Sequence, residues 1–132
     1  MANDHFEQSL IRKYPRIFHD PDAVRPGGGW RGIDCGEGWF PLIERLCCEI
    51  QQRTEESPAS KVFIRHIKEK FGVLRVAYQC DIVSITALIA MAESESSEVC
   101  EACGAPGNLV RTRHGWIKTL CATCTSQAPV SF

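Results

Sequence analysis

The apolar positions of the chain recur with two periods, and the changes of period divide it into elements. Phe6, Leu10 and Tyr14 stand four residues apart on one helical face, and Asp4-x-x-Glu7 resembles a capping box, so a first helix is expected from Asn3 or Asp4 to Pro15. Trp39, Ile43, Leu46 and Ile50 form a second stripe, widened by Phe40 and Cys47, which predicts a helix over residues 39–53 with Pro41 tolerated in its first turn. After a polar break at 54–60 the period shortens to two. Residues 61–78 are rich in β-branched and aromatic side chains, Leu74, Val76 and Tyr78 alternate, and Gly72 supplies a turn, which together predict a hairpin. Asp81 then stands as the expected N-cap of a third helix carrying Ile82, Ile85, Leu88, Ile89 and Ala92.

Between the first two helices the pattern breaks down. Residues 15–41 hold ten of the seventeen Gly and Pro residues, including the run Gly27-Gly28-Gly29, and predict a long irregular loop. Such a loop either covers the core through Ile17, Phe18, Trp30 and Ile33 or binds something. The triple glycine is no phosphate loop, because no Gly-Lys-Ser/Thr follows it and no strand is expected before it. The resulting order predicts an α+β fold: helices packed on a small antiparallel β-hairpin or sheet, with residues 1–97 as the body and 98–126 as a C-terminal four-cysteine zinc ribbon.

Composition changes this picture mainly through cysteine, of which the 132 residues contain eight. The first residues, MANDHFEQ, are polar, and the longest uninterrupted apolar stretch is the six residues 87–92, so neither an export signal nor a membrane span is expected and a cytoplasmic location follows. In that compartment cysteines read as metal ligands or packed thiols before disulfides. Cys100-x-x-Cys103 and Cys121-x-x-Cys124 are separated by seventeen residues, the spacing of a four-thiolate zinc site. Gly104 and Gly107 supply turns beside the first pair. With four thiolates no position stays open for water or substrate, so one structural Zn²⁺ is expected, with two disulfides or four unrelated thiols as the alternatives. Cys47 reads as a core residue, and Cys48, its neighbour, points about 100° away from it on a helix. Cys35 and Cys80, with Cys47 and His19 or His66, match no metal spacing.

A net charge of −1 excludes binding driven by a whole-molecule field, so any electrostatic partner must be met by local patches. Residues 61–75 carry five basic and one acidic side chain, and 111–118 carry three basic. Lys68, Lys70 and Arg75 surround the hairpin turn, while Arg111, Arg113, Trp116 and Lys118 interleave cations with an aromatic ring in the ribbon. These seven residues are the expected partner surface, a composition suited to phosphates and stacked bases or to an acidic protein. The competing reading makes them the wet faces of a half-buried hairpin and ribbon.

Three stretches carry a resemblance: Cys35-Gly36-Glu37-Gly38-Trp39-Phe40, then Lys68-Glu69-Lys70-Phe71-Gly72 with Leu74-Arg75, then Cys100-Glu101-x-Cys103-Gly104-Ala105-Pro106-Gly107. Over about residues 10–124 the chain is similar to a family of small uncharacterised bacterial and phage or prophage proteins. It departs from that pattern in having Val73 where a small residue is expected and in closing with a complete Cys121-x-x-Cys124. The resemblance implies a phage-associated context and supplies no reaction. The leading expectation is therefore a non-enzymatic, zinc-containing accessory protein that binds a host macromolecular machine, such as an inhibitor of a bacterial defence or nucleic-acid-processing complex. A direct nucleic-acid-binding zinc ribbon is one alternative. An enzyme with a site assembled from Asp20, Asp22, Asp34, Glu37, His19 or His66 is another.

Overall fold

The computed structural model describes residues 2–20, 22, 29–112 and 115–131, with the side chains of residue 2 and of 127–131 excepted. The fold is α+β. In chain order it comprises α1 (Ala2–Lys13), β1 (Ile33–Asp34), a 3₁₀ turn (Glu37–Trp39), α2 (Phe40–Glu56), β2 (Val62–Lys70), β3 (Val73–Cys80), α3 (Val83–Ser96), β4 (Asn108–Arg111), β5 (Ile117–Leu120) and α4 (Ala122–Ser131). Among the described residues no helix is long and apolar enough to cross a membrane.

The hairpin β2–β3 is antiparallel, from Val62 opposite Cys80 to Lys70 opposite Val73. That last pair leaves a two-residue loop, Phe71-Gly72, in which both residues have positive φ, 54° and 82°. This is the type I′ geometry whose twist matches paired strands. Gly72 adopts it freely, whereas a phenylalanine there is strained by about 1–2 kcal/mol. A third strand, β1, lies parallel to β2 with Ile33 opposite Ile67. It comes from the segment expected to be an irregular loop, so part of that loop belongs to the sheet; Gly27 and Gly28 lie outside the described residues.

One apolar cluster holds the body together. Ile33, Ile64, Ile67, Leu74 and Val76 from the sheet pack with Trp39, Ile43, Leu46 and Ile50 and with Ile85, Ile89 and Ala92 of α3. The stripe predicted for α2 is therefore its buried face. Leu10 joins the cluster, and Phe6 stacks on Phe40 with ring centroids 4.0 Å apart. The outer edge of β3 is closed by α3: the Leu74 amide donates to Ser96 Oγ at 2.9 Å and the Val76 amide to Glu93 Oε2 at 3.0 Å. Side chains thus satisfy edge groups that would otherwise invite another strand.

Two expected caps do not form. Helix α1 begins at Ala2, so Asp4 lies within its first turn, and Glu7 reaches out of the helix to accept from the Ile33 amide at 2.8 Å. Asn3 likewise donates to the Ile33 and Cys35 carbonyls, so this helix end is spent on holding β1. At α3 the capping position is Ile82, without a side-chain bond, and Asp81 instead accepts from the Lys61 amide at 3.1 Å, closing the open end of the hairpin.

Candidate metal centre and the junction around it

The two Cys-x-x-Cys turns arrive from different directions. Cys100 follows the short bridge Val99–Pro106, and the chain folds back so that the Gly104 amide donates to the Cys100 carbonyl at 2.8 Å. That turn requires the φ of +84° that Gly104 supplies. Cys121 ends β5 and precedes α4, where its sulfur accepts from the Cys124 amide at 3.4 Å. The four Sγ atoms lie within 4.8 Å of one another, and Cys103 and Cys121 sulfurs are 3.6 Å apart. A tetrahedron with metal–sulfur bonds of about 2.3 Å has edges of about 3.8 Å, far longer than the roughly 2.05 Å of a disulfide. All four thiols are free, so the geometry is that of ligands that can hold a metal ion.

The environments of the thiols push their ionisation in opposite directions. Burial acts to raise Cys100, but amide bonds from Cys121, Cys103 and Ala102 outweigh it and bring this thiol down to about 7. Hydrogen bonding with the Cys121 and Cys100 sulfurs pushes Cys124 up to about 12. Four thiolates this close repel one another, and a divalent ion is what allows all four to lose their protons.

The sequence stretches that looked like separate motifs meet at this centre. The Gly38 amide donates to the Glu101 carbonyl and the Gly36 amide to Glu101 Oε2, both at 2.8 Å, and Trp39 Nε1 donates to the Val99 carbonyl at 2.8 Å. A Cβ at Gly36 would fall on the Glu101 carbonyl oxygen, and one at Gly38 on that of Cys100. These two glycines let the knuckle sit directly on the start of α2. From the hairpin, the Gly72 carbonyl accepts from Thr119 Oγ1 at 2.6 Å, and Glu69 takes both the Gly72 amide at 2.7 Å and Lys118 Nζ at 3.1 Å. Reasoning from sequence missed this junction; its only signal was the placing of Gly36 and Gly38 around Glu37, too short to assign a partner.

The expected partner residues divide. Lys70 is exposed with Nζ 5.9 Å from the Phe71 ring, Arg111 is exposed and donates to the Gly115 carbonyl at 3.1 Å, and Trp116 is 62% exposed. Lys70, Phe71, Arg111 and Trp116 line one cleft of about 570 Å³, so the hairpin tip and the ribbon loop share a face. Lys68 is half-buried opposite Arg75, whose guanidinium lies 3.8 Å from Glu93. Lys118 departs from the expectation: its side chain is 17% exposed and pairs with Glu69 and, at 3.8 Å, Glu101, because β5 points it into the junction. Arg113, and His114 beside it, lie outside the described residues.

The residues named for a catalytic site are only partly brought together. His66 Nε2 and Asp34 Oδ2 are 2.7 Å apart across β1 and β2, a pairing invisible in sequence. Cys35, next to Asp34, is a poor nucleophile, since burial, with the Glu101, Asp34 and Glu69 charges, pushes its thiol up to about 12. Asp20 accepts from the Asp22 amide in a local turn at 2.9 Å, and His19 and Glu37 are exposed elsewhere. Cys47 is fully buried, as expected of a core residue.

Comparison of the chain with protein-family models, with curated proteins and with solved structures returned no match.

Proposed function

We propose that the protein is a non-catalytic binding module whose ribbon is held by one structural Zn²⁺ on Cys100, Cys103, Cys121 and Cys124, and whose docking face is the cleft between the hairpin tip and the ribbon loop. Zinc is favoured over other ions by the all-sulfur, four-coordinate donor set. The observation that carries the docking reading is Phe71: a large aromatic residue, 70% exposed, is kept in a left-handed turn conformation that asparagine would adopt with less strain. It belongs to neither apolar cluster of the described residues.

The resemblance of the chain to small phage and prophage proteins supports a phage-encoded accessory role in the cytoplasm of a bacterial host. The partner is then a host macromolecular machine, and inhibition of a defence or nucleic-acid-processing complex is the outcome of docking. Affinity capture from the host, followed by mass spectrometry with and without nuclease, tests this. The wild type is expected to retain one defined complex that Phe71→Asn with Trp116→Ala releases. Equal recovery by wild type and variant would remove the cleft as the docking face.

A further inference from the structure

The cleft combines two features that an acidic protein surface would not need together. Phe71 and Trp116, from separate hairpins, present large exposed rings to it, and Lys70 and Arg111 stand beside those rings as exposed cations. Further along β2 the same face is mixed in charge. Strand geometry puts Lys68 and Lys70 on one face, about 6.7 Å apart, with Arg75 directly opposite Lys68. Carboxylates of the chain itself flank this pair, Glu93 at 3.8 Å from the Arg75 guanidinium and Asp34 in register beside Lys68, so the cations left to meet a ligand are the exposed Lys70 and Arg111 of the cleft. His66, further along β2 on that face, is occupied by Asp34 at 2.7 Å.

From this geometry we infer that the cleft takes single-stranded nucleic acid. Bases stack on Phe71 and Trp116, and phosphates run past the exposed Lys70 and Arg111. The inference rests on the docking reading above and specifies which part of the host machine enters the cleft. Stacking tolerates any base and cations contact every phosphate, so binding depends on strandedness and salt more than on sequence. A duplex keeps its bases stacked inside and offers those rings nothing to receive.

The test uses the full-length zinc-loaded protein and its tryptophan fluorescence, because Trp116 is exposed whereas Trp39 is fully buried and Trp30 is half-buried against the core of the body, outside the cleft. Oligothymidylate and oligouridylate of about ten nucleotides are titrated separately, beside a duplex of the same length and polyglutamate. Saturable quenching by one or both single strands, weakening steeply with salt, is expected, with little response to the duplex or to polyglutamate. The two single-stranded arms decide between DNA and RNA. Phe71→Asn should lose about 5- to 150-fold in affinity, equivalent to one stacked base. It should do so while keeping its zinc and its thermal stability, since asparagine suits the turn. Lys70→Glu with Arg111→Glu should weaken binding and flatten the salt dependence.

No quenching by either single strand at low salt, or an affinity indifferent to Phe71→Asn, overturns the inference. Polyglutamate binding as tightly as the oligonucleotides also overturns it, in favour of an acidic polypeptide. If oligonucleotides fail but host capture still depends on Phe71 and Trp116, this inference falls while the docking reading stands. If capture is also indifferent to both residues, both fall.

Discussion

The body and the ribbon of this protein are held together by different physics. Among the described residues, eighteen buried side chains from the helices, the sheet and the segments joining them form the cluster of the body, while the ribbon's own cluster contains two, Cys100 and Leu120. Burial of a large apolar side chain contributes about 1.5–3 kcal/mol, so the body has what it needs to fold and the ribbon does not. The ribbon makes up the difference with its four sulfurs and with backbone contacts to Gly36, Gly38 and Gly72. The comparison teaches that the glycines and the metal ligands form one device. An ion held by the four sulfurs would shape the knuckle, and the glycines allow that shape to lie flush against the body, with Trp116 and Phe71 lining one cleft.

The most severe way to break the comparison is to remove one of the four sulfurs proposed to hold zinc. Metal binding contributes on the order of 10 kcal/mol in small zinc modules, so Cys121→Ser should unfold residues 98–126 while most helical circular dichroism survives. Complete loss of helical signal would show that body and ribbon fold as a single unit. Next in size, Leu46→Ala removes a core side chain that is 4% exposed and should cost about 2–5 kcal/mol of global stability, read by denaturant unfolding, without changing zinc content.

Gly38→Ala addresses the contact between the regions. Its Cβ would meet the Cys100 carbonyl and the Glu101 backbone, none of which is a flexible side-chain end, and overpacking of this kind costs about 1–3 kcal/mol. The variant should release zinc to a chelator faster and expose the ribbon to limited proteolysis, with the body protected. A smaller effect sharpens the picture from within the body. Burial raises the Glu7 carboxyl above its ordinary value, against the lowering effect of the Ile33 amide. A raised native value means that the contribution of this group is complete at low pH and is lost as pH climbs through it. Glu7→Gln keeps an acceptor for Ile33 and removes the charge. Its melting temperature relative to wild type should therefore rise as pH climbs above the ordinary glutamate value of about 4.3.

Legibility in the sequence followed the range of the interactions. The stripe of Trp39, Ile43, Leu46 and Ile50, the turn at Gly72 and the clustering of the four cysteines were readable because each depends on spacings within one element or motif. Strand β1 was not: two residues carry no periodicity, and its pairing with Ile67 and Lys68 spans 34 positions. The same holds for the salt bridge of Lys118 with Glu69, which withdraws a cation from the surface, and for the dyad of Asp34 with His66. The failed caps have a local cause. Asp81 and Glu7 each found a backbone donor from another element, so residue types that suit helix ends were used to fasten strands. The glycines of Cys35-Gly36-Glu37-Gly38 signalled a close approach without saying to what.

The central claim is that one zinc ion, held by four thiolates, makes the ribbon and thereby the cleft. Elemental analysis of protein purified without chelator tests it most directly, with Cys103→Ser and Cys124→Ser as companions. One zinc per chain in the wild type, falling sharply in both variants together with ordering of the Trp116 loop, is the predicted result. Metal-free wild-type protein that still keeps its ribbon folded, or full zinc content in either variant, would contradict the account.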